Sequence, residues 1–189
     1  MIQWTLNRCP QAQFMLKIDD DVFLNPWKLR DVLKRNEDAK LLGYLTKDVD
    51  LYRDKRSKWY LPRWLMANDH ISGFVNGPSY LINGENLRPM LKAAYQVPMI
   101  NIEDIYFTHL VASKLGYKPV LVKGMRPTKP WLMIPVPCIY WRSVTMHSMS
   151  PNDLTWVWRK VQYLAQGIDA NTTNSICEGF FTKLLWTVM

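Results

Sequence analysis

"FMLKIDDDVFLNPWKL", residues 14–29, changes character twice within sixteen positions. Phe14 to Ile18 form a short apolar run that stops at Asp19, the pattern of a buried strand ending there. Asn25 can cap a helix and Pro26 suits its first position, while Trp27, Leu29, Val32 and Leu33 give "NPWKLRDVLKRNE" an apolar side. Asp19, Asp20 and Asp21 therefore lie between a strand and a helix. In open α/β sheets, ligands gather at the carboxyl ends of strands. Three adjacent like charges repel one another, and burying them together costs several kcal/mol unless a cation or solvent compensates. On extended backbone Asp19 and Asp21 share one side and Asp20 takes the other. A hard divalent cation, which takes carboxylate oxygens and bridges to phosphate, suits that pair. The competing reading is a solvated acidic turn.

Working outward, "KLLGYLT" (40–46), "SYLI" (79–82) and "YKPVLVK" (117–123) read as strands, and "KWYLPRWLM" (58–66) as extended or loop-like. "GENLRPMLKAAYQ" (84–96) reads as a helix. "MINIEDIYFTHLVASKLG" (99–116) passes from loop to helix, with Glu103 and Asp104 favouring the helix dipole at its start and Gly116 stopping it. A strand ends near His147, and Ser150-Pro151 opens a last helix. There is no internal repeat and no low-complexity tract.

The 189 residues suffice for one domain with a core, and the net charge of +8 favours anionic partners. The densest basic cluster, Arg53, Lys55, Arg56 and Lys58, reads either as a phosphate-facing loop or as a solvated turn. Zinc-finger spacing and RNA-binding signatures are absent from the sequence, which argues against nucleic acid. No stretch approaches the roughly 18 consecutive apolar residues of a membrane span. The opening "MIQWTLNRCP" does not read as an ordinary signal peptide. Cys9, Cys138 and Cys177 permit one disulfide and one free thiol without demanding either. Asn171 in "NTT" is a glycosylation acceptor on a secretory route.

Other residues carry weaker chemical signals. His147 in "TMHSM" can complete an oxygen-rich metal shell or be structural. Glu103-Asp104 can take a proton from an attacking hydroxyl or simply cap a helix. Glycines 73, 77 and 84 allow close backbone approach to a ligand, or only turns. His70 and His109 have no special setting, and His109, on the expected 105–115 helix, reads as structural. A two-metal phosphohydrolase would need more convergent ligands than one acidic cluster and one histidine.

Taken in order, Trp4, Cys9, "FMLKIDDDVFLNPWKL", "KWYLP", "NGPSYLI", "IEDIYFTHLVASKLG" and "HSMSPNDL" resemble the β-1,3-glycosyltransferase family. These are inverting Golgi enzymes that include β-1,3-galactosyl- and N-acetylglucosaminyltransferases. The resemblance implies an α/β, GT-A-like fold with a mixed central sheet, N-terminally truncated, because family members carry a tail, membrane anchor, stem and further strands before this point. Residues 1–165 would be a partial catalytic domain with a donor/metal part and an acceptor part, and 166–189 an unassigned tail. Asp19, Asp21 and His147 would hold Mn²⁺. Asp19, Asp20, Asp21, Trp59, Tyr60, Gly77 and Tyr80 would bind the UDP-sugar or line its cleft. Asp104 would be the general base, with Glu103 positioning the acceptor or its loop. The implied reaction moves galactose or N-acetylglucosamine from a UDP-sugar to a glycan on lipid or protein, on the lumenal side of the Golgi membrane. Homo- or hetero-oligomers are compatible with it. The alternative is a non-catalytic homologue that binds sugar or a partner. One departure stands out. The family's Cys-Ser-Gly-x-Gly-Tyr stretch is "VNGPSY" here, so Val75 replaces a disulfide cysteine and Ser79 the second glycine.

Overall fold

The computed structural model describes residues 1–131, 133, 136–167 and 177. Along the chain the elements are α1 (Ile2–Arg8), β1 (Phe14–Ile18), β2 (Phe23–Leu24), α2 (Pro26–Arg35), β3 (Leu41–Thr46), β4 (Val49–Asp50), β5 (His70–Ile71), β6 (Phe74–Asn83) and α3 (Gly84–Ala94). Then follow α4 (Glu103–Ile105), a π-helical segment (Tyr106–Val111), α5 (Ala112–Lys114), β7 (Val120–Leu121), β8 (Met125–Arg126), α6 (Pro137–Trp141), β9 (Thr145–Met146) and α7 (Pro151–Gly167). They fall into two compact units, one from Met1–Lys17 with Glu37–Lys123, the other from Ile18–Asn36 with the described residues from Gly124 onward.

The first unit is built on a four-stranded mixed sheet in the order β1-β6-β3-β7. β3 pairs antiparallel with β6 and parallel with β7. Leu41, Leu42 and Gly43 are all buried, as a central strand covered on both faces requires. The register runs Leu41↔Ile82, Leu42↔Leu81 and Gly43↔Tyr80, then jumps to Leu45↔Val75. Tyr44 alone thus faces the four residues Asn76–Ser79, and β6 bulges outward there. Pro78 has no N–H to give a ladder, so the bulge is also where a proline can sit inside a strand. Ile2, Met15, Leu41, Val75, Tyr80, Ile82, Leu87, Met90 and Val111 form the core of this sheet and its helices.

The helix that starts within the "IED" stretch is continuous from 103 to 114, but its middle is π-helical. Single-turn π segments inside α-helices are frequently found at functional sites. Gly116, at φ +65°, ends the helix, and Tyr117 N–H returns to Ala112 O at 2.8 Å.

A loop joins β4 to β5, and Arg53 ties it together. Its guanidinium donates to the carbonyls of Leu61, Met66 and Asn68 and to the Asp69 carboxylate. Arg56 pairs with Asp54 at 2.8 Å in solvent. Two members of the expected basic cluster are therefore engaged by the protein's own groups, Arg53 as a part-buried tie of the loop and Arg56 in solvent.

The second unit carries a small sheet, β2-β9-β8, with β2 antiparallel and β8 parallel to β9. Asn25 is fully buried: its side chain accepts from Lys28 N–H at 3.2 Å and donates to Trp141 O at 3.0 Å. One residue thus caps α2 and fastens it to α6. Trp27 packs against Trp141 and Trp158, with ring centroids 5.9 and 5.8 Å apart. At the start of α7, Ser150 and Asp153 exchange backbone-to-side-chain hydrogen bonds, a capping box, and Lys129 Nζ adds a third at 2.6 Å. A disulfide joins Cys138 to Cys177, and Cys9 is free.

Several expectations need correction. "SYLI" is only the end of ten-residue β6, and "YKPVLVK" pairs over Val120–Leu121 alone. The short helices α1 and α6 carried no clear periodicity in the sequence. Asn171 and most of the 166–189 segment lie outside the described residues.

Candidate active site

Two constellations carry chemistry, one in each unit. In the second unit, Asp19, Asp21 and His147 each offer one ligand atom, and these atoms lie within 4.8 Å of one another. Asp19 follows the last residue of β1, Asp20 and Asp21 form a turn, and His147 follows β9. Asp21 O accepts from Met149 N–H at 2.9 Å, which fastens the acidic turn to the segment carrying the histidine. His147 Nδ1 lies 2.9 Å from the Pro127 carbonyl, which can only accept, so Nδ1 carries a proton. In the neutral ring that leaves a lone pair on Nε2, which stands 3.2 Å from Asp21 Oδ2. Ser148, the next residue, has φ 63°, a left-handed conformation that non-glycine residues seldom adopt. Two carboxylates and one imidazole, with the imidazole oriented by an outer hydrogen bond, fit a divalent cation such as Mn²⁺. Asp20 is exposed and turns away from this geometry only in the sense that its carboxylate is not part of the group.

In the first unit, Asp104 lies in the first turn of the 103–114 helix, against the β6 bulge. It is half-buried. Burial pushes its carboxyl above the ordinary range, opposed by backbone N–H groups of Ile105 and Gly77 and by the charge of Lys17. Ile105 N–H donates to Asp104 Oδ1 at 2.8 Å. Gly77 leaves no room to spare: a Cβ there would stand 2.9 Å from Asp104 Oδ2. Thr108 fixes the same helix from the other end of its first turn. Its hydroxyl donates to Asp104 O at 2.6 Å and accepts from Val75 N–H at 2.8 Å. Glu103 accepts from the Tyr80 hydroxyl and pairs with Lys17 at 3.8 Å.

The remaining candidates divide. Tyr80, expected to line the sugar, is instead 1% exposed, and its hydroxyl engages Glu103. Gly77 touches Asp104 through its backbone, which is a role in holding the carboxylate. Trp59 is exposed beside Tyr52, with ring centroids 5.2 Å apart, and Lys58 lies over its ring. Tyr60 is half-buried in the same loop. His70 pairs with Asp50 across β4 and β5, and burial holds the His109 imidazole below its ordinary pKa. The sequence reading missed Lys17, Thr108 and Ser148. A lysine inside an apolar strand was the available signal for the first. Nothing in the sequence marked the other two.

A family model described as Galactosyltransferase matches residues 1–122. The chain belongs to the galactosyltransferase family. Among curated proteins, this galactosyltransferase-family chain is 28% identical to beta-1,3-galactosyltransferase 1 of Homo sapiens over 161 residues, covering 83% of this chain and 48% of the relative. The mouse (Mus musculus) protein of the same name matches equally. Beta-1,3-galactosyltransferase 2 of Homo sapiens is 25% identical over 174 residues, covering 90% of this chain and 41% of the relative. The chain spans about half the length, or less, of these curated relatives. The resemblance carried by the acidic triplet and the "IEDI" block agrees with both names.

Proposed function

We propose that this chain carries the metal-binding and base-bearing part of a GT-A-type, inverting β-1,3-galactosyltransferase. The observation that carries the reading is the Asp104 carboxylate: half-buried, raised in proton affinity by that burial, and fixed by backbone donors. A desolvated carboxylate held in place by backbone donors is suited to take a proton from an attacking hydroxyl. In the reaction, the acceptor glycan hydroxyl attacks the anomeric carbon of the UDP-sugar. The new C–O bond forms as the bond to the β-phosphate oxygen breaks, the hydroxyl proton passes to Asp104 Oδ, and UDP leaves. One displacement turns an α-linked donor into a β-linked product. Backbone donors from Gly77 and Ile105 keep the carboxylate aimed while it changes charge. Asp19, Asp21 and His147 would hold Mn²⁺, which supplies positive charge for the departing diphosphate. Trp59 and Tyr60 would offer apolar faces to sugar rings.

The relatives are named for galactosyl transfer, which favours UDP-galactose as the donor over UDP-N-acetylglucosamine. The Cys138–Cys177 disulfide suits an oxidising lumen, in keeping with a Golgi setting. The test is to offer both donors with Mn²⁺ and a set of glycan acceptors, and to determine the linkage of the product. A β-1,3-linked galactose that disappears in Asp104→Asn supports the reading. Transfer that persists in Asp104→Asn sinks it.

A further inference from the structure

Lys17 lies in β1 among apolar neighbours, and its side chain is 13% exposed. An ammonium so far out of water needs strong partners. Its Nζ donates to the Gly77 carbonyl at 2.6 Å and stands 3.8 Å from Glu103 Oε2. Gly77 is the residue whose backbone supports the Asp104 carboxylate, and Glu103 is the residue before Asp104 in α4. Lys17 therefore grips both supports of the proposed base at once, from a different strand.

We propose that Lys17 is a positioning residue of the transfer reaction: its ammonium, bound to the Gly77 carbonyl and paired with Glu103, holds the β6 bulge against the Asp104 carboxylate and keeps positive charge beside it. This rests on the reading of Asp104 as the base. The geometry explains why the bulge does not relax away from the helix, since a 2.6 Å charge-assisted bond ties it to β1. It also explains how two adjacent carboxylates stay together in a partly desolvated place. The groups acting on the Asp104 carboxylate are Lys17 from β1, the Gly77 N–H from β6, and the Ile105 and Asp104 N–H groups of its own helix, while Glu103 pairs with Lys17. Tyr80 of β6 engages Glu103. Lys17 opposes the upward push of burial on Asp104.

The experiment is an NMR titration of the whole chain labelled with ¹³C-aspartate, with the Asp104 signal assigned through Asp104→Asn. Lys17→Met raises the Asp104 midpoint. Lys17→Gln, which keeps a donor but loses the charge, raises it too, and Lys17→Arg returns it towards wild type. An unchanged midpoint in the folded Met and Gln variants overturns the proposal. If those variants do not fold, the wild-type chain still decides: the Lys17 Cε resonance must move with the Asp104 midpoint, and indifference across that range overturns it. In transfer assays Lys17→Met loses about 10- to 100-fold in kcat/KM at neutral pH. The acidic limb of its pH profile moves up with the Asp104 midpoint, which a merely structural lysine would not cause. Persistent transfer by Asp104→Asn would instead fault the base assignment, and the NMR result would still judge the Lys17 contact by itself.

Discussion

The α-carbon of Gly77 and the carboxylate of Asp104 are packed so closely that a methyl group on the first would stand 2.9 Å from Oδ2 of the second. The nearest obstacle is the end of a short side chain, so Gly77→Ala forces the carboxylate aside instead of breaking the sheet. Its stability cost is about 1 kcal/mol. Its kinetic cost is larger, about 100-fold in kcat, because a base displaced by an ångström no longer meets the hydroxyl proton. Thermal unfolding and transfer rates measured on the same preparation separate the two.

Asp104 should be a liability to stability when it is charged. Its folded pKa is raised by burial above the ordinary value of 3.8. Stability tied to such a group is fully present below the unfolded pKa and is lost as pH rises through the folded pKa. Asp104→Asn, neutral at every pH, should therefore melt higher than wild type at pH 7, with the gap closing as the pH falls to 3.8 and below. Melting temperatures across that range check this, and a gap that widens in acid would contradict it.

The acidic turn predicts a division of labour among its three members. Asp19→Asn, Asp21→Asn and His147→Gln should each weaken Mn²⁺ binding by about 10-fold or more, since each removes a ligand atom from the group. Asp20→Asn should leave Mn²⁺ affinity within about twofold, because its carboxylate lies outside the group and surface changes of this kind have small effects. Electron paramagnetic resonance of free Mn²⁺ measures all four.

The strand, acidic turn and capped helix of residues 14–35 were legible because each carries its own local signal: an apolar run, a charge cluster, and an Asn-Pro start. The last helix was legible for the same reason, with Ser150-Pro151 at its opening. The β6 bulge was not. Gly77 and Pro78 read as breakers, and only pairing with β3 shows that the strand runs through them. The π-helical segment was hidden too, since "YFTHLV" keeps an ordinary helical composition. At the site, residue types named Asp19, Asp21, His147 and Asp104, whereas their supports depend on contacts between distant strands. Lys17 and Gly77 are 60 positions apart, and no local pattern records such a bond. Tyr80 was singled out as a sugar contact, but its burial gives it to Glu103.

Reducing the Cys138–Cys177 bond opens a loop with a sequence separation of 39. In the chain-entropy account, closing a loop of that length contributes up to about 4 kcal/mol. Reductant should therefore lower the melting temperature clearly, and Cys138→Ser should lower it by the same amount without further response to reductant. A melting curve indifferent to reductant would count against a role for this bond in holding the second unit together.

The central claim is that the acidic turn and His147 make a metal-dependent site for the UDP end of a nucleotide sugar. Calorimetric titration of the 189-residue chain with UDP, with and without Mn²⁺, tests it most directly. The account predicts UDP binding that requires Mn²⁺ and disappears in Asp21→Ala. UDP binding of equal strength without the metal, or no UDP binding by a folded chain that does bind Mn²⁺, would contradict it.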